Sequence, residues 1–579
     1  MPRAGPTATR KFSYDYAGRV TSESLVTAGR TYWTRYTWDA NGNMKTLRYP
    51  NGRLVTFTYD LADRVTKAIG TKSGNPTRTY FDSTGYLPFG PDTTMWFGNG
   101  VKVKKSYDKR YYTQSITNTP AGIFGRSYQY DHNGNITQLL DLIDSTKSYH
   151  TITYDGVDRL LTAFGDYRTD DLTYSYAKNG NRLTKQKGAS STSYSYLNNR
   201  LRNTTGAEVV NYGYNANGSV IGDTLSGQTK VYTYDKLNRI VKITGIAPTD
   251  SFTYDGENKR VYSNDNGTEL VNLYDIYGNL ISQYFPGAPF YTTDYIWANG
   301  EPRMRIDTLE VFGFGPSGGP PPPSGPETRY WFHTDHLGTP YVLTDSLKIV
   351  QWRVSLDPFG ETVSEFASAI EDNTRFPGQR IDRGSGLNYN WHRYYQPKIG
   401  RYYQVDPVTS QTTTNPFSYV SSNPLVFTDR TGEIGRKAVP LITAEEFRVF
   451  TGIPCALNMR EAATIAADRT KKIAEELGVL DGKRDAFKHC LGICSITKIC
   501  GADVATAAAV GKEVWDLFRE KGNLVEKAKR LYMDTHNNWQ GSLCSKKASC
   551  GRSFSSCANC CLTALNNGSL FVINKDGDR

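Results

Sequence analysis

Short runs in which apolar and polar side chains alternate recur along the first 300 residues, each closed by a small polar cluster. Phe57-Thr58-Tyr59 is typical. Its period of two and its β-branched and aromatic content predict a strand with one face buried. Asp60 follows and opens a turn through its side chain. A Gly, Asn or Asp three residues later tolerates positive φ, and the next aliphatic starts the return strand. The unit aromatic-x-Tyr-Asp-x-x-(Gly/Asn/Asp)-(Arg/Asn)-aliphatic recurs at Tyr14-Asp15 with Gly18-Arg19-Val20, Tyr59-Asp60 with Asp63-Arg64-Val65, and Tyr130-Asp131 with Gly134-Asn135-Ile136. Further copies are Tyr154-Asp155 with Asp158-Arg159-Leu160, Tyr234-Asp235 with Asn238-Arg239-Ile240, and Tyr274-Asp275 with Gly278-Asn279-Leu280. Degenerate copies sit at Trp38, Tyr107, Tyr176, Tyr196, Tyr214 and Tyr254. A spacing of about 20 to 24 residues is a repeat-protein period. One hairpin has too little core to stand alone, so stacked hairpins must share one. An open β-solenoid or sandwich satisfies the same pattern.

Composition agrees with this reading. The 579 residues include 40 Tyr and 53 Gly, with 13% aromatic side chains at a hydrophobic content of only 38%. A disordered chain would lack the aromatics. Tyrosine suits a thin β-layer because its ring buries while its hydroxyl takes a partner. The net charge of +11 is modest for this length. The segment after residue 432 carries 22 Lys and Arg against 17 Asp and Glu, which permits a polyanionic substrate without requiring one. All nine cysteines lie beyond position 454, so the two parts differ in their cysteine habits. Met1–Asp15 shows no secretory leader, and no window approaches the roughly 18 apolar residues of a membrane helix. Export is expected to use a dedicated machine or a signal on upstream sequence.

The Tyr-Asp hairpins resemble the YD repeats of RHS proteins, Tc-toxin C components and teneurins. That resemblance covers about residues 10–432 and implies a mainly β fold, a hairpin spiral closing into a hollow shell. The expected organisation is a repeat shell over 1–312, a Gly/Pro-rich linker over 313–329 with polyproline at Pro320–Pro323, and a different segment over 330–432. This segment resembles the RHS-associated core through Tyr330-Trp331-Phe332-His333-Thr334-Asp335-His336-Leu337-Gly338-Thr339-Pro340 and Leu356-Asp357-Pro358-Phe359-Gly360-Glu361. Phe376-Pro377-Gly378-Gln379, Gly400-Arg401-Tyr402-Tyr403 and Pro416-Phe417-Ser418-Tyr419 belong to the same likeness. His333 and His336 have metal-like spacing, but in this context they are expected to be core and turn residues.

The resemblance implies that the core caps the shell and ends in two Asp-Pro-x-Gly elements after which the chain cuts itself. Asp406 and Asp429 are the matching positions. Two enclosed carboxyls do not both ionise cheaply, so one can serve as acid while the other activates water. Asp406-Pro407 is followed by Val408-Thr409 and lacks the glycine; Asp429-Arg430-Thr431-Gly432 lacks the proline, and Glu433 replaces the family's leucine. Autoproteolysis is expected after Gly432 or Glu433, with Arg401 the candidate to hold the aspartates' charge. The alternative is that both aspartates merely cap turns.

From residue 433 to 579 the β-pattern stops and helical periodicity begins, near 443–452, 459–477, 483–499 and 503–521. This part is expected to be a small, mainly α, cysteine-rich effector domain. Asp485 and His489 share a helix face. With Glu513, Asp534, His536, Asn537 and Asn538 they form a candidate hydrolytic site, His489 being the base or a metal ligand. The bland reading makes Asp485 a cap, His489 a core residue and Asn537-Asn538 a turn. A divalent metal would use His489, Glu513, Asp534 and His536; zinc at Cys557 and Cys560 competes with disulfides formed in an oxidising compartment. The functional expectation is a secreted toxin whose shell encloses and releases a hydrolase, a nuclease or other phosphodiesterase first among them. Its partners would be an immunity protein, delivery machinery and a B-component-like shell partner. The rival readings are a carbohydrate-binding adhesive protein and a membrane- or cell-wall-targeting toxin.

Overall fold

The computed structural model describes residues 7–437, apart from 89, 167–169, 246–247, 286–289, 311–325, 369, 409–414 and 434–435. The chain divides into Met1–Leu441 and Ile442–Arg579, and all described residues fall in the first unit. The helical tail expected over 433–579 therefore lies outside them, save for Glu433 and a two-residue strand, Arg436–Lys437.

Nearly everything described is antiparallel β-structure built by neighbour-to-neighbour hairpins. A 12-stranded sheet runs from Thr9–Tyr14 to Ile136–Asp141, and a 20-stranded sheet from Thr151–Tyr154 to Thr362–Ala367, both in strict chain order. Among the described residues no helix is long and apolar enough to cross a membrane.

The repeat consensus has a geometric cause at each position. In the turn after Tyr59, Asp60 Oδ1 accepts the amides of Ala62 (2.9 Å) and Arg64 (3.0 Å), while Oδ2 accepts Arg64 Nε at 2.8 Å. Asp63 takes φ +58°, the left-handed conformation for which other copies use Gly or Asn. Arg64 Nη1 then donates to the Leu87 carbonyl of the next turn at 2.8 Å. Arg19, Arg159 and Arg239 repeat this link to the turns at Asp39, Ala177 and Asp255. The repeat tyrosine reaches the other way. Tyr59, Tyr107, Tyr130, Tyr154, Tyr234 and Tyr254 each donate their hydroxyl to a carbonyl of the preceding hairpin, at 2.6–2.9 Å. At Trp38 and Trp297 the indole N–H makes the equivalent bond, to Val20 and Leu280. Aromatic size with a terminal donor is thus the selected property, and tryptophan meets it.

The two sheets meet through a series of long-range side-chain contacts. Arg10 pairs with Glu257, Tyr49 donates to the Tyr295 carbonyl, and Arg53 to Asp294. Trp331 donates to the Tyr80 carbonyl, Asn99 to Asp345, and Arg353 to Ile123. Across the two sheets such contacts join residues from 196 apart, as Lys105 with Glu301, to 264 apart, as Arg10 with the Tyr274 carbonyl. They lay a later circuit of strands along the first. Where the circuits overlap, strands such as Leu280–Tyr284 and Pro340–Thr344 are buried on both faces, instead of alternating.

The boundary expected at the Gly/Pro stretch does not interrupt the sheet. Glu301–Glu310 pairs directly with Glu327–Thr334, so residues 327–329 belong to a ladder and the first part of the associated core extends the spiral to Ala367. The departure comes later. The described residues of 370–433 form a cap, including a four-stranded sheet from Arg380–Asp382 to Arg401–Tyr402. Buried pairs anchor the cap across the spiral: Asp382 with both Arg260 nitrogens at 2.6 and 2.7 Å, Tyr394 with Tyr254, Tyr403 with Asp223, and Asn423 with Asn135.

Candidate functional site

The cap hairpin Leu387–Asn390 to Arg393–Gln396 turns through Trp391 and His392, Trp391 adopting φ +49°. This turn meets the last run of the cap, Asp429 to Glu433. Arg393, 2% exposed, is the hub. Its Nη2 lies 3.0 Å from Asp406 Oδ2 and 3.2 Å from Asp429 Oδ2. Nη1 donates to the Pro416 carbonyl at 3.3 Å, Nε donates to the Gly432 carbonyl, and the guanidinium lies 3.7 Å from the Tyr402 ring centroid.

Asp429 is buried and binds the junction through one oxygen and Tyr402 through the other. Oδ1 accepts the amides of Gly432 (2.9 Å) and Glu433 (3.1 Å), and Oδ2 accepts the Tyr402 hydroxyl at 2.8 Å. Asn390 Nδ2 holds the Asp429 carbonyl at 2.8 Å. Gly432 has φ +72°, and a Cβ there would sit 2.3 Å from the Asn390 carbonyl oxygen. Glycine is therefore obligatory at this point of the element, whereas the proline that the chain lacks would not touch these bonds.

Asp406 is less enclosed. Its Oδ1 accepts the Val408 amide at 2.9 Å and its own amide donates to the Pro416 carbonyl at 3.0 Å. Burial pushes its carboxyl above the ordinary range; Arg393 pulls it back, and Asp429 and Glu433 add to the rise. A guanidinium shared by two carboxyls, one biased toward holding a proton, can support acid–base chemistry on the adjoining backbone.

The structure brings Asp406 and Asp429 together as expected from their positions, but the cation between them is Arg393. The Arg401 guanidinium points elsewhere: Nη2 donates to the Asn199 carbonyl at 2.5 Å, Nη1 to Asn181 at 3.3 Å, and the rings of Tyr196 and Phe417 lie 5.0 and 4.9 Å away. His333 and His336 are interior. His333 Nε2 meets Thr344 Oγ1 at 2.9 Å, and burial, then Arg353, lowers its pKa to about 3. His336 Nε2 donates to the Leu425 carbonyl at 2.8 Å. The effector candidates His489, Asp485, Glu513, Asp534, His536, Asn537 and Asn538, with Cys557 and Cys560, lie outside the described residues.

Three family profiles match the chain. The RHS protein profile covers residues 330–365, the RHS repeat profile residues 14–54 and 38–76, and a domain of unknown function, DUF6973, residues 449–569. The toxin protein Tse5 of Pseudomonas aeruginosa is 24% identical over 76% of this chain and 36% of its own length. The double-stranded DNA deaminase toxin A of Burkholderia cenocepacia is 23% identical over 74% of this chain and 30% of its own. The chain thus spans about a third of the length of these curated relatives. A crystal structure of TcdB2-TccC3 superposes with TM-score 0.59 at 18% identity, covering 74% of this chain and 24% of that one, a likeness of fold.

Proposed function

This chain belongs to the RHS/YD-repeat polymorphic toxins, and from that premise we propose that its spiral packages the C-terminal part and cuts it free at the end of the cap. The observation that carries this reading is the pairing of Asp406 and Asp429 on one nitrogen of Arg393, with Asp429 gripping the amides of Gly432 and Glu433. Asp429 oxygens already accept hydrogen bonds from the junction, Tyr402 and Arg393, which suits it to the ionised role. Asp406, whose carboxyl is raised, suits the protonated role. A water oxygen adds to the carbonyl carbon of Gly432 or Glu433 while the ionised carboxylate takes its proton. The C–N bond then breaks, and the protonated carboxyl supplies the proton that the departing nitrogen needs. The products are a new carboxy terminus and a free amine.

The released part, residues 433 or 434 to 579, is proposed to be a hydrolase, a nuclease or other phosphodiesterase, with His489 and Asp485 central and a divalent metal its candidate cofactor. The toxin would be secreted or delivered into a target cell, restrained in its producer by an immunity protein, and enclosed with help from upstream sequence or a separate shell protein. Intact-mass analysis of the full chain tests the cut. Wild type should yield a fragment starting at residue 433 or 434, and Asp429→Asn and Asp406→Asn should not. Equal fragmentation of all three would end the proposal. Toxicity of the full chain that survives His489→Ala would remove the enzymatic assignment of the tail.

A further inference from the structure

We infer that His392 and Glu433 form a clasp in which His392 recognises an acidic side chain at the cleavage junction and sets residue 433 in place. The inference rests on the self-cleavage reading above. Glu433 stands where the resembling family carries leucine, and it flanks both candidate bonds. His392 is bound to the junction three times. Its amide donates to the Thr431 carbonyl at 3.1 Å, its ring Nδ1 lies 3.0 Å from the same oxygen, and Nε2 lies 3.6 Å from Glu433 Oε1.

Those partners dictate the ring's protons. A carbonyl oxygen only accepts, so Nδ1 must carry a hydrogen. A neutral imidazole would then turn the bare lone pair of Nε2 toward the Glu433 carboxylate, where it would be repelled. The contact attracts when Nε2 is protonated too, making an imidazolium–carboxylate pair.

The ring's plane is set from the spiral side. Trp391 stacks on His392 with centroids 5.3 Å apart and 10° between planes, and its Nε1 donates to the Glu257 carbonyl at 3.0 Å. Gly278 packs so closely under that indole that a Cβ would lie 2.2 Å from it. The clasp therefore ties a spiral turn to the scissile region through two stacked rings. The charged groups around it are Glu433 on the junction, Arg393 on its own hairpin, Lys259 Nζ at 5.1 Å from the Trp391 ring, Glu257 on the same turn, and Asp406 and Asp429 beyond Arg393. A partly exposed pair at this separation would contribute little to stability. Its effect belongs instead to the placing of the backbone, which makes His392 a positioning residue.

The test follows self-cleavage of the freshly synthesised full chain by intact mass over time. The set is wild type, Asp429→Asn, His392→Ala, Glu433→Gln and the charge exchange His392→Glu with Glu433→Lys. Glu433→Gln and His392→Ala are each expected to slow the cut about tenfold, equivalent to about 1.4 kcal/mol of lost positioning. The exchanged pair should recover most of that loss. Glu433→Gln alters a partly exposed side chain and carries the decision if His392→Ala does not fold. If both single variants cut at the wild-type rate while Asp429→Asn is blocked, the clasp is wrong and self-cleavage stands. If wild type stays whole, the self-cleavage reading falls and the inference falls with it.

Discussion

Replacing Arg393 by Met removes the one cation that binds both aspartates while keeping a comparable stem. The side chain is 2% exposed and engages two carboxylates, the carbonyls of Gly432 and Pro416, and the Tyr402 ring. Breaking a buried ion pair by deleting one partner costs about 3–5 kcal/mol, most of it from the charge left behind. The bonds share one guanidinium, so their losses do not add, and about 4 kcal/mol of local stability is the expected deficit. At 1.4 kcal/mol per decade this is a factor of about 1,000. Hydrogen exchange read by mass spectrometry is the assay, because the Gly432 amide is donated to Asp429, survives either candidate cut and reports the junction directly. Its exchange should accelerate about 1,000-fold near pH 7, while strand Leu54–Tyr59 in the first circuit stays unchanged. The pH dependence has a definite sign. The Asp406 carboxyl is already raised by burial, and without Arg393 it rises further. A raised carboxyl contributes its stability below its unfolded pKa and loses it as pH climbs through the folded value. The deficit should therefore shrink on acidification and be largest at neutral pH and above. Exchange within about threefold of wild type, equivalent to about 0.7 kcal/mol, or a deficit that grows in acid, would refute the hub assigned to Arg393.

Tyr234→Phe deletes a 2.6 Å bond to the Val220 carbonyl and should cost about 0.5–1.5 kcal/mol in urea unfolding, whereas Tyr234→Trp, which restores a ring N–H, should recover part of it. Gly378→Ala would put a Cβ 2.1 Å from the Arg430 carbonyl oxygen at φ +83°, so the cap's last run should become protease-sensitive, with a loss of about 2–3 kcal/mol. Asp250, shielded by burial and pushed up to about 7, loses its contribution as pH rises through that value. Asp250→Asn should thus raise the unfolding midpoint above about pH 7 and make little difference well below it, and a benefit confined to acid would contradict the assignment.

The repeat hairpin was legible because the bonds of its motif are local or lie one hairpin away. Asp60 reaches its own turn, Arg64 the next, and Tyr59 the hairpin before, so a motif of nine residues encodes its own partners. Asp406 and Asp429 were singled out by resemblance to the family's two Asp-Pro-x-Gly elements, and the structure places both on Arg393. The chain alone could not choose between Arg393-Tyr394-Tyr395 and Arg401-Tyr402-Tyr403, which share the same three residue types. The four-stranded cap sheet made that choice. It sets Arg393 opposite Asn390 at the hairpin end beside the junction and Arg401 opposite Gln396, where it meets Asn181 and Asn199. The Gly/Pro stretch likewise reads as a boundary in one dimension, yet Glu301–Glu310 and Glu327–Thr334 pair across it. Closing a loop costs entropy that grows only slowly with its length, and a ladder of backbone bonds and buried side chains outweighs it. Sequence by itself determined the hairpin and its turn chemistry. Tertiary structure decided which strands of the two circuits meet, the cap's anchorage and which arginine stands between Asp406 and Asp429. These depend on which distant side chains meet, and no local pattern of polarity encodes that meeting.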